Sequence, residues 1–253
     1  SVHEAIEDTG RGIEGIDSVV LASHDLVDGR SLSSMVTAPA AGAYLRDEVR
    51  YSDDGAAAFA AAVARIEAGE SERLIVAAWG RSSEHDVGAV SRILFDPAFS
   101  RPFALEEIHV SAMRSQIWRR QHGNRGHDRA VEKRIAAAHA NPRAVRAGGK
   151  RREAPHPLVA GDMPLWGDLF AAVILSNRPA SVRVAGFGQS TDPYFIGDRN
   201  LCEMTALRVA AGRAYDNCGF GPEAADIVEI DGLTLYDEAL GHESMGLAAA
   251  GEG

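Results

Sequence analysis

Apolar positions fall in two kinds of run along this chain. Short continuous runs read as buried strands: Ile16 to Ala22 (IDSVVLA), Leu74 to Trp79 (LIVAAW) and Ala171 to Ser176 (AAVILS), with Ser181 to Gly186 (SVRVAG) and Ile227 to Ile230 as two more. Glu48 to Tyr51 reads as a further short strand. Between them lie helix-length segments. Val2 to Gly10 places Val2, Ala5 and Ile6 on one face and stops at Gly10-Arg11-Gly12. Ser31 to Ala43 is small and weakly periodic, a helix ending near Gly42. Gly55 to Ala68 (GAAAFAAAVARIEA) is Ala-rich, closed by Gly69; its small side chains allow close backbone approach, so burial is expected. His109 to Ala140 is helical but polar, with turn signals around Gly123 to Gly126; Leu201 to Gly219 and Leu235 to Met245 are the last helices. Strands alternating with helices predict a layered α/β fold with parallel strands.

Composition narrows the function classes. The 253 residues are 45% hydrophobic and 25% charged, enough for a sizeable core in one large or two small domains. No apolar run approaches the about 18 residues of a membrane helix, so no membrane span is expected. Ser1-Val2-His3-Glu4 shows neither the basic nor the apolar region of a secretory signal. The formal net charge of -10 argues against nucleic acid as a partner, since that affinity rests on clustered positive charge. All but Lys133 and Lys150 of the 26 basic residues are Arg. Cys202 and Cys218 cannot form a disulfide framework; they read as buried structural thiols, in keeping with a cytoplasmic protein.

Several local motifs carry little chemistry. His122-Gly-Asn-Arg-Gly-His127 pairs two histidines without a cysteine or acid cluster, which is a solvated loop rather than a metal site. Gly186-Phe-Gly188 lacks the third glycine of a dinucleotide fingerprint. The basic run from Ala144 to Arg152 reads as a solvated loop, with phosphate contact the other possibility.

The order of segments resembles the thiolase superfamily, in the branch of lipid-transfer-type thiolases, archaeal acetyl-CoA acetyltransferases and steroid side-chain aldolases. Gly55-Ala-Ala-Ala opening a helix, then Ile66-Glu-Ala-Gly-Glu70 and the strand Leu74 to Trp79, resembles the nucleophile region. His139-Ala-Asn-Pro142 resembles the family's His-x-x-Asn-Pro stretch, and Asp168-Leu-Phe-Ala-Ala-Val-Ile-Leu175 its following strand. Val182 to Gln189 looks like the first strand of the second half. Ala214-Tyr215, Cys218-Gly219-Phe220, Asp226-Ile-Val-Glu229, Glu243-Ser-Met-Gly246 and Gly251-Glu252-Gly253 follow in the family's order. The resemblance implies a thiolase-like layered fold, one α/β half over residues 1–178 plus an incomplete second half over 179–253. In the family a cysteine at a helix N-terminus takes an acyl group from a coenzyme A thioester, helped by two histidines and a second cysteine.

This chain departs from that pattern. Counting back from Gly69 puts Ser52 in the nucleophile slot, beside Asp53 and Asp54. Ser52 reads as a helix N-cap with the two aspartates as dipole partners; a serine nucleophile, or Asp53 or Asp54 as a base, are the catalytic alternatives. Asp231, in Glu229-Ile-Asp-Gly232, stands where the family's oxyanion histidine belongs, and an ionised carboxylate cannot donate to an oxyanion. His242 does not match the motif and reads as a surface residue. The aldolase relatives use tyrosines for proton transfer, which makes Tyr194, in Thr191-Asp-Pro-Tyr-Phe195, a candidate proton carrier beside its packing role. The family's Gly-His-Pro segment and its second cysteine have no counterpart here, nor does its first strand. The expectation is an oligomeric thiolase-fold subunit without its own acyl-transfer nucleophile, paired with a full-length thiolase-like chain, a small zinc-ribbon/OB-fold protein, or both. The alternative is an active enzyme of altered chemistry, such as a retro-aldolase. No metal or covalent cofactor is expected. A coenzyme A thioester is the possible ligand, with Arg143, Arg146, Lys150 and Arg151 as candidates for its phosphates.

Overall fold

The computed structural model describes residues 1–24, 26, 37–124, 126–142, 153–163 and 167–253. They form two compact units: residues 1–90 with 167–184, and residues 91–166 with 185–253. The described residues hold four strands and seven α-helices, and none of those helices is long and apolar enough to cross a membrane.

The first unit is a sheet covered on both faces. Its strands are β1 (Ser18–Ala22), β2 (Asp47–Tyr51), β3 (Arg73–Arg81) and β4 (Asp168–Ser176), in the order β2-β1-β3-β4. β1 runs parallel to β2 and β3, and β4 runs antiparallel to β3 from Arg73↔Ser176 to Arg81↔Asp168. Central β1 is buried at every position, which is why its sequence is a continuous aliphatic run rather than an alternating one. Helix α1 (Val2–Asp8) opens on a Ser1/Glu4 capping box and lays Val2 and Ile6 over Val19, Leu21, Ile75 and Ala77. Helix α2 (Gly55–Glu67) covers the opposite face, Ala58 and Ala62 meeting Val20, Ala22, Leu74 and Val76. Two alanines one turn apart let the helix sit close; a Cβ on Gly55 would lie 2.9 Å from Cβ of Ala78. Only that face of α2 is buried, so burial of the whole helix, as expected from composition, does not occur. Gly69, at φ +73°, ends the helix as anticipated.

Buried Arg73 fixes the entry to the sheet. Its guanidinium donates to the carbonyls of Gly12 (3.2 Å) and Glu14 (3.1 Å) and to Oγ1 of Thr9 (3.0 Å). Four backbone and side-chain groups of the segment before β1 are thereby tied to the first residue of β3, since Asp17 accepts from the amide of Arg73 (3.4 Å) as well as that of Glu72 (2.6 Å).

The second unit is helical: α4 (Glu107–His122), α5 (His127–Ala140), α6 (Thr205–Cys218) and α7 (Leu235–Ser244). Helix α3 (Val87–Leu94) crosses from the first unit into the second along the chain. The expected break in the polar helical region is real. Gly123 (φ +82°) and Gly126 (φ +83°) end α4 and begin α5 in conformations that suit glycine. The core joins α4 and α7 through Ile108, Ala112, Leu158, Met163 and Tyr236.

Two expected strands are absent. Ser181 to Gly186 and Ile227 to Ile230 are irregular, with Val182 84% and Ile227 85% exposed. Their β-branched residues supply strand propensity, but a strand needs a ladder, and no described strand pairs with either. The Gly186-Phe-Gly188 signal has a packing cause instead. A Cβ at Gly186 would lie 2.5 Å from the Ala214 carbonyl oxygen and one at Gly188 1.9 Å from that of Ala210, so the backbone runs directly along α6. Helix α6 also begins later than expected, at Thr205, because Asn200 turns the chain by accepting from the Cys202 amide (3.0 Å). The helix expected over Ser31 to Ala43 lies partly outside the described residues; its last part, 38–42, is a turn.

Candidate functional site

The carboxyl ends of parallel strands are where α/β sheets hold ligands, because loops and helix N-termini converge there. In the first unit, β2 ends at Tyr51 and the chain turns through Ser52, Asp53 and Asp54 into α2. The N-cap is Asp54, not Ser52: its Oδ1 accepts from the Ala57 amide at 2.8 Å. Asp53 accepts from the Asp54 amide at 2.9 Å. The positive end of α2, which the resemblance assigns to a thiolate, is thus already met by carboxylates. All three residues are exposed.

Neighbouring strand ends add groups that sequence reasoning passed over. Ser23 follows β1, and its amide donates to the Tyr51 carbonyl (3.3 Å). Its Oγ, Nδ1 of His24 and Nε2 of His85, beyond the end of β3, are buried without a hydrogen-bond partner. Their position within a few residues of strand ends is the only signal the sequence offered.

A cavity of about 770 Å³ opens on the α1 face of this unit, lined by Val2, Ala41, Ala77, Trp79, Leu169 and Phe170, with Arg81 and Asp168 among its polar residues. Ser83 holds the Asp168 carboxyl below the usual carboxylate range, donating from Oγ (2.7 Å) and from its amide (2.9 Å).

The second unit carries the remaining candidates. Tyr194 is 60% exposed and its hydroxyl donates to the Leu94 carbonyl (2.9 Å), which occupies the proton a transfer role would use. Asp231 is exposed in the loop before α7. The structure therefore brings Ser52, Asp53 and Asp54 into one turn of the first unit, and places Tyr194 and Asp231 on separate loops of the second. Arg143, Arg146, Lys150 and Arg151 lie outside the described residues.

Other residue expectations are corrected. Cys202 and Cys218 are free thiols but only half-buried, and Cys202 precedes α6. His242 is half-buried on α7. His127 is not in a solvated loop; it is buried at the start of α5, because Gly126 turns it inward beneath Tyr236.

Two buried or half-buried carboxylates in this unit gather several donors each. The Asp237 carboxylate accepts from Ser111 Oγ (2.6 Å), Thr234 Oγ1 (2.9 Å), the Thr234 amide (3.1 Å) and Arg114 (3.1 Å), closing a capping box on α7. Glu243 draws the indole N–H of Trp118 (3.2 Å) and the Gly251 amide (2.9 Å) onto one oxygen. Surrounding protein atoms raise the Glu107 carboxyl above its ordinary range, with Asp237 adding to the rise and Arg114 and Arg199 opposing it; part of the side chain still meets solvent. Among the described residues no group of three or more His, Cys, Asp or Glu could hold a metal ion.

No family model matches the sequence, and no curated protein matches it. Solved structures do. The Ltp2-ChsH2(DUF35) aldolase aligns over 99% of this chain and 71% of its own, with a TM-score of 0.69 and 16% identity. A monomeric SCP2-thiolase-like protein type 1 from Mycobacterium smegmatis aligns over 98% of this chain and 60% of its own, with a TM-score of 0.61 and 14% identity. The chain spans 71% and 60% of the lengths of these two proteins. With nearly every residue aligned to both, the chain has a thiolase-like fold.

Proposed function

We propose that this chain is a thiolase-family subunit, its two halves meeting near residue 178, that acts with a partner chain in cleavage or formation of a carbon–carbon bond on coenzyme A thioesters. It supplies fold and binding surface rather than the acyl-accepting nucleophile. The observation that carries this is the turn Ser52-Asp53-Asp54. At the helix N-terminus corresponding to the family's cysteine, a carboxylate caps the amides, and an acyl-enzyme thiolate has neither its sulfur nor its positive field. The likeness to an aldolase whose name joins two components supports a role within an assembly. Two free cysteines accord with a cytoplasmic setting.

The test is made on the complex isolated from the native host. Ser52→Ala should leave turnover of acyl-coenzyme A within about twofold, since no nucleophile is removed. Loss of turnover with assembly intact would give Ser52 a catalytic role.

A second function is favoured by one observation, the likeness to an aldolase: retro-aldol cleavage by this chain, with Tyr194 as proton carrier. It requires the Tyr194 hydroxyl to leave the Leu94 carbonyl. Tyr194→Phe distinguishes the two, abolishing cleavage in the second and leaving it unchanged in the first.

A further inference from the structure

Leu45 stands in the left-handed backbone region, at φ +58°, where a bulky side chain is uncommon. Such an outlier persists only where its surroundings over-determine it. Arg46 supplies that constraint. Its guanidinium donates to four carbonyls: Ile16 (2.8 Å), Gly42 (2.9 Å), Tyr44 (3.1 Å) and Ile13 (3.2 Å). Backbone bonds close the turn beneath it, from the Ala43 amide to the Ala38 carbonyl (2.9 Å) and from the Arg46 amide to the Ala43 carbonyl (2.9 Å). Ala38, Ala41 and Ala43 anchor the base of the turn in the core under α1. The tip is left outside: Tyr44 is 74% exposed and Leu45 88%. Folding gains nothing from strain that leaves a leucine in water, so the tip's use lies outside this chain's own core.

We propose that the Tyr44-Leu45 tip is a preformed contact that inserts into an apolar pocket, edged by Arg or Lys, on the partner chain of the proposed assembly. It rests on that assembly. A side-chain pair already held in place loses little freedom on binding, and a large aromatic contributes most where a pocket excludes water around it. The sign of the pocket's edge follows from charge. The Arg46 bonds bring residues 13–16 against the turn, and the Asp47 amide donates to the Asp17 carbonyl (3.3 Å). Over residues 13–17 and 44–48 the exposed charged residues are Glu14, Asp17, Asp47 and Glu48, all acidic. Arg65 pairs with Asp47, whereas Glu14 and Glu48 have no ion pair among the described residues. A surface of opposite sign complements them. A second copy of this chain would bring the same acids to the contact, and an anionic lipid surface would repel them. The tip precedes β2 and the Ser52-Asp53-Asp54 turn follows it, so each can be altered without touching the other.

The test uses the full chain isolated from its native host at native levels, as wild type and as Tyr44→Ser, Leu45→Asn and Glu48→Lys, with the accompanying chains weighed by native mass spectrometry. Asn tolerates the left-handed region, so Leu45→Asn keeps the turn and removes only its apolar tip. Recovery of the second chain should fall at least about tenfold in each tip variant. Their thermal unfolding midpoints should equal or exceed that of the wild type, because no buried contact is lost. Glu48→Lys should weaken recovery about tenfold at low salt and by less as salt rises. Undiminished recovery in both tip variants overturns the contact and leaves the assembly standing. A lowered unfolding midpoint in them also overturns it, because the tip then serves the fold. Undiminished recovery of Glu48→Lys at low salt overturns the basic edge. A homodimer that the tip variants dissociate assigns the tip to a second copy and overturns the partner. Wild type with no second chain overturns the assembly and this contact together.

Discussion

At the scale of single residues, capping chemistry decides what the site can do. Asp54 fills the role that sequence reasoning gave to Ser52, because its carboxylate reaches the Ala57 amide from the position directly before the helix. Asp54→Ala should cost about 1 kcal/mol of stability by thermal or urea unfolding, and Ser52→Ala much less. The same comparison tests which of the two caps the helix. A second carboxylate gives a pH signature. Asp96 is held below the usual range by Ser100 above all, and by the amides of Phe99 and Ala98, against an opposing effect of burial. A folded-state value below the unfolded one stabilises above the ordinary carboxylate range, and that stability is lost as pH falls through the lowered value. Asp96→Asn should flatten the acid limb of a stability–pH curve. Residue identities gave the location of the Ser52–Asp54 turn correctly but not the buried His127 or the buried, unbonded ring nitrogens of His24 and His85. Burial depends on segments distant in sequence, and nothing local to a histidine announces them.

At the scale of elements, continuous aliphatic runs were reliable guides wherever the sheet supplied neighbours. β1, β3 and β4 all form where IDSVVLA, LIVAAW and AAVILS stand, each with a ladder on at least one side. SVRVAG and the run from Ile227 have the same composition and no described ladder, so they remain irregular. Propensity is a statement about a pleated, half-buried surface and lapses without one. Helix α2 shows the converse, since its alanines were legible as a close-packing face. Ala62→Leu should lower stability by about 1–3 kcal/mol, read from chemical unfolding, because the Ala62 site against Leu74 and Val76 has no room for the added carbons. Gly188→Ala should be at least as damaging, since the Ala210 carbonyl stands where its Cβ would go.

At the scale of the whole molecule, the two sheet edges differ. β2 carries Asp47, Glu48 and Arg50, the kind of charge that discourages further pairing. β4 is nine residues long, and beyond Asp168 it has no charge; Leu169 is 72% exposed and Phe170 and Val173 are also exposed. A long apolar edge of this kind invites another polypeptide. The overall fold was legible because several weak motifs stand in one order. That β4 is left as an exposed apolar edge was not, because exposure depends on neighbouring segments and not on a motif. The partnered account is tested most directly by native mass spectrometry of this protein isolated from its own host without overexpression. A hetero-oligomer containing a second, thiolase-like chain is the result it requires. A monomer, or a homo-oligomer with no other component, would contradict it.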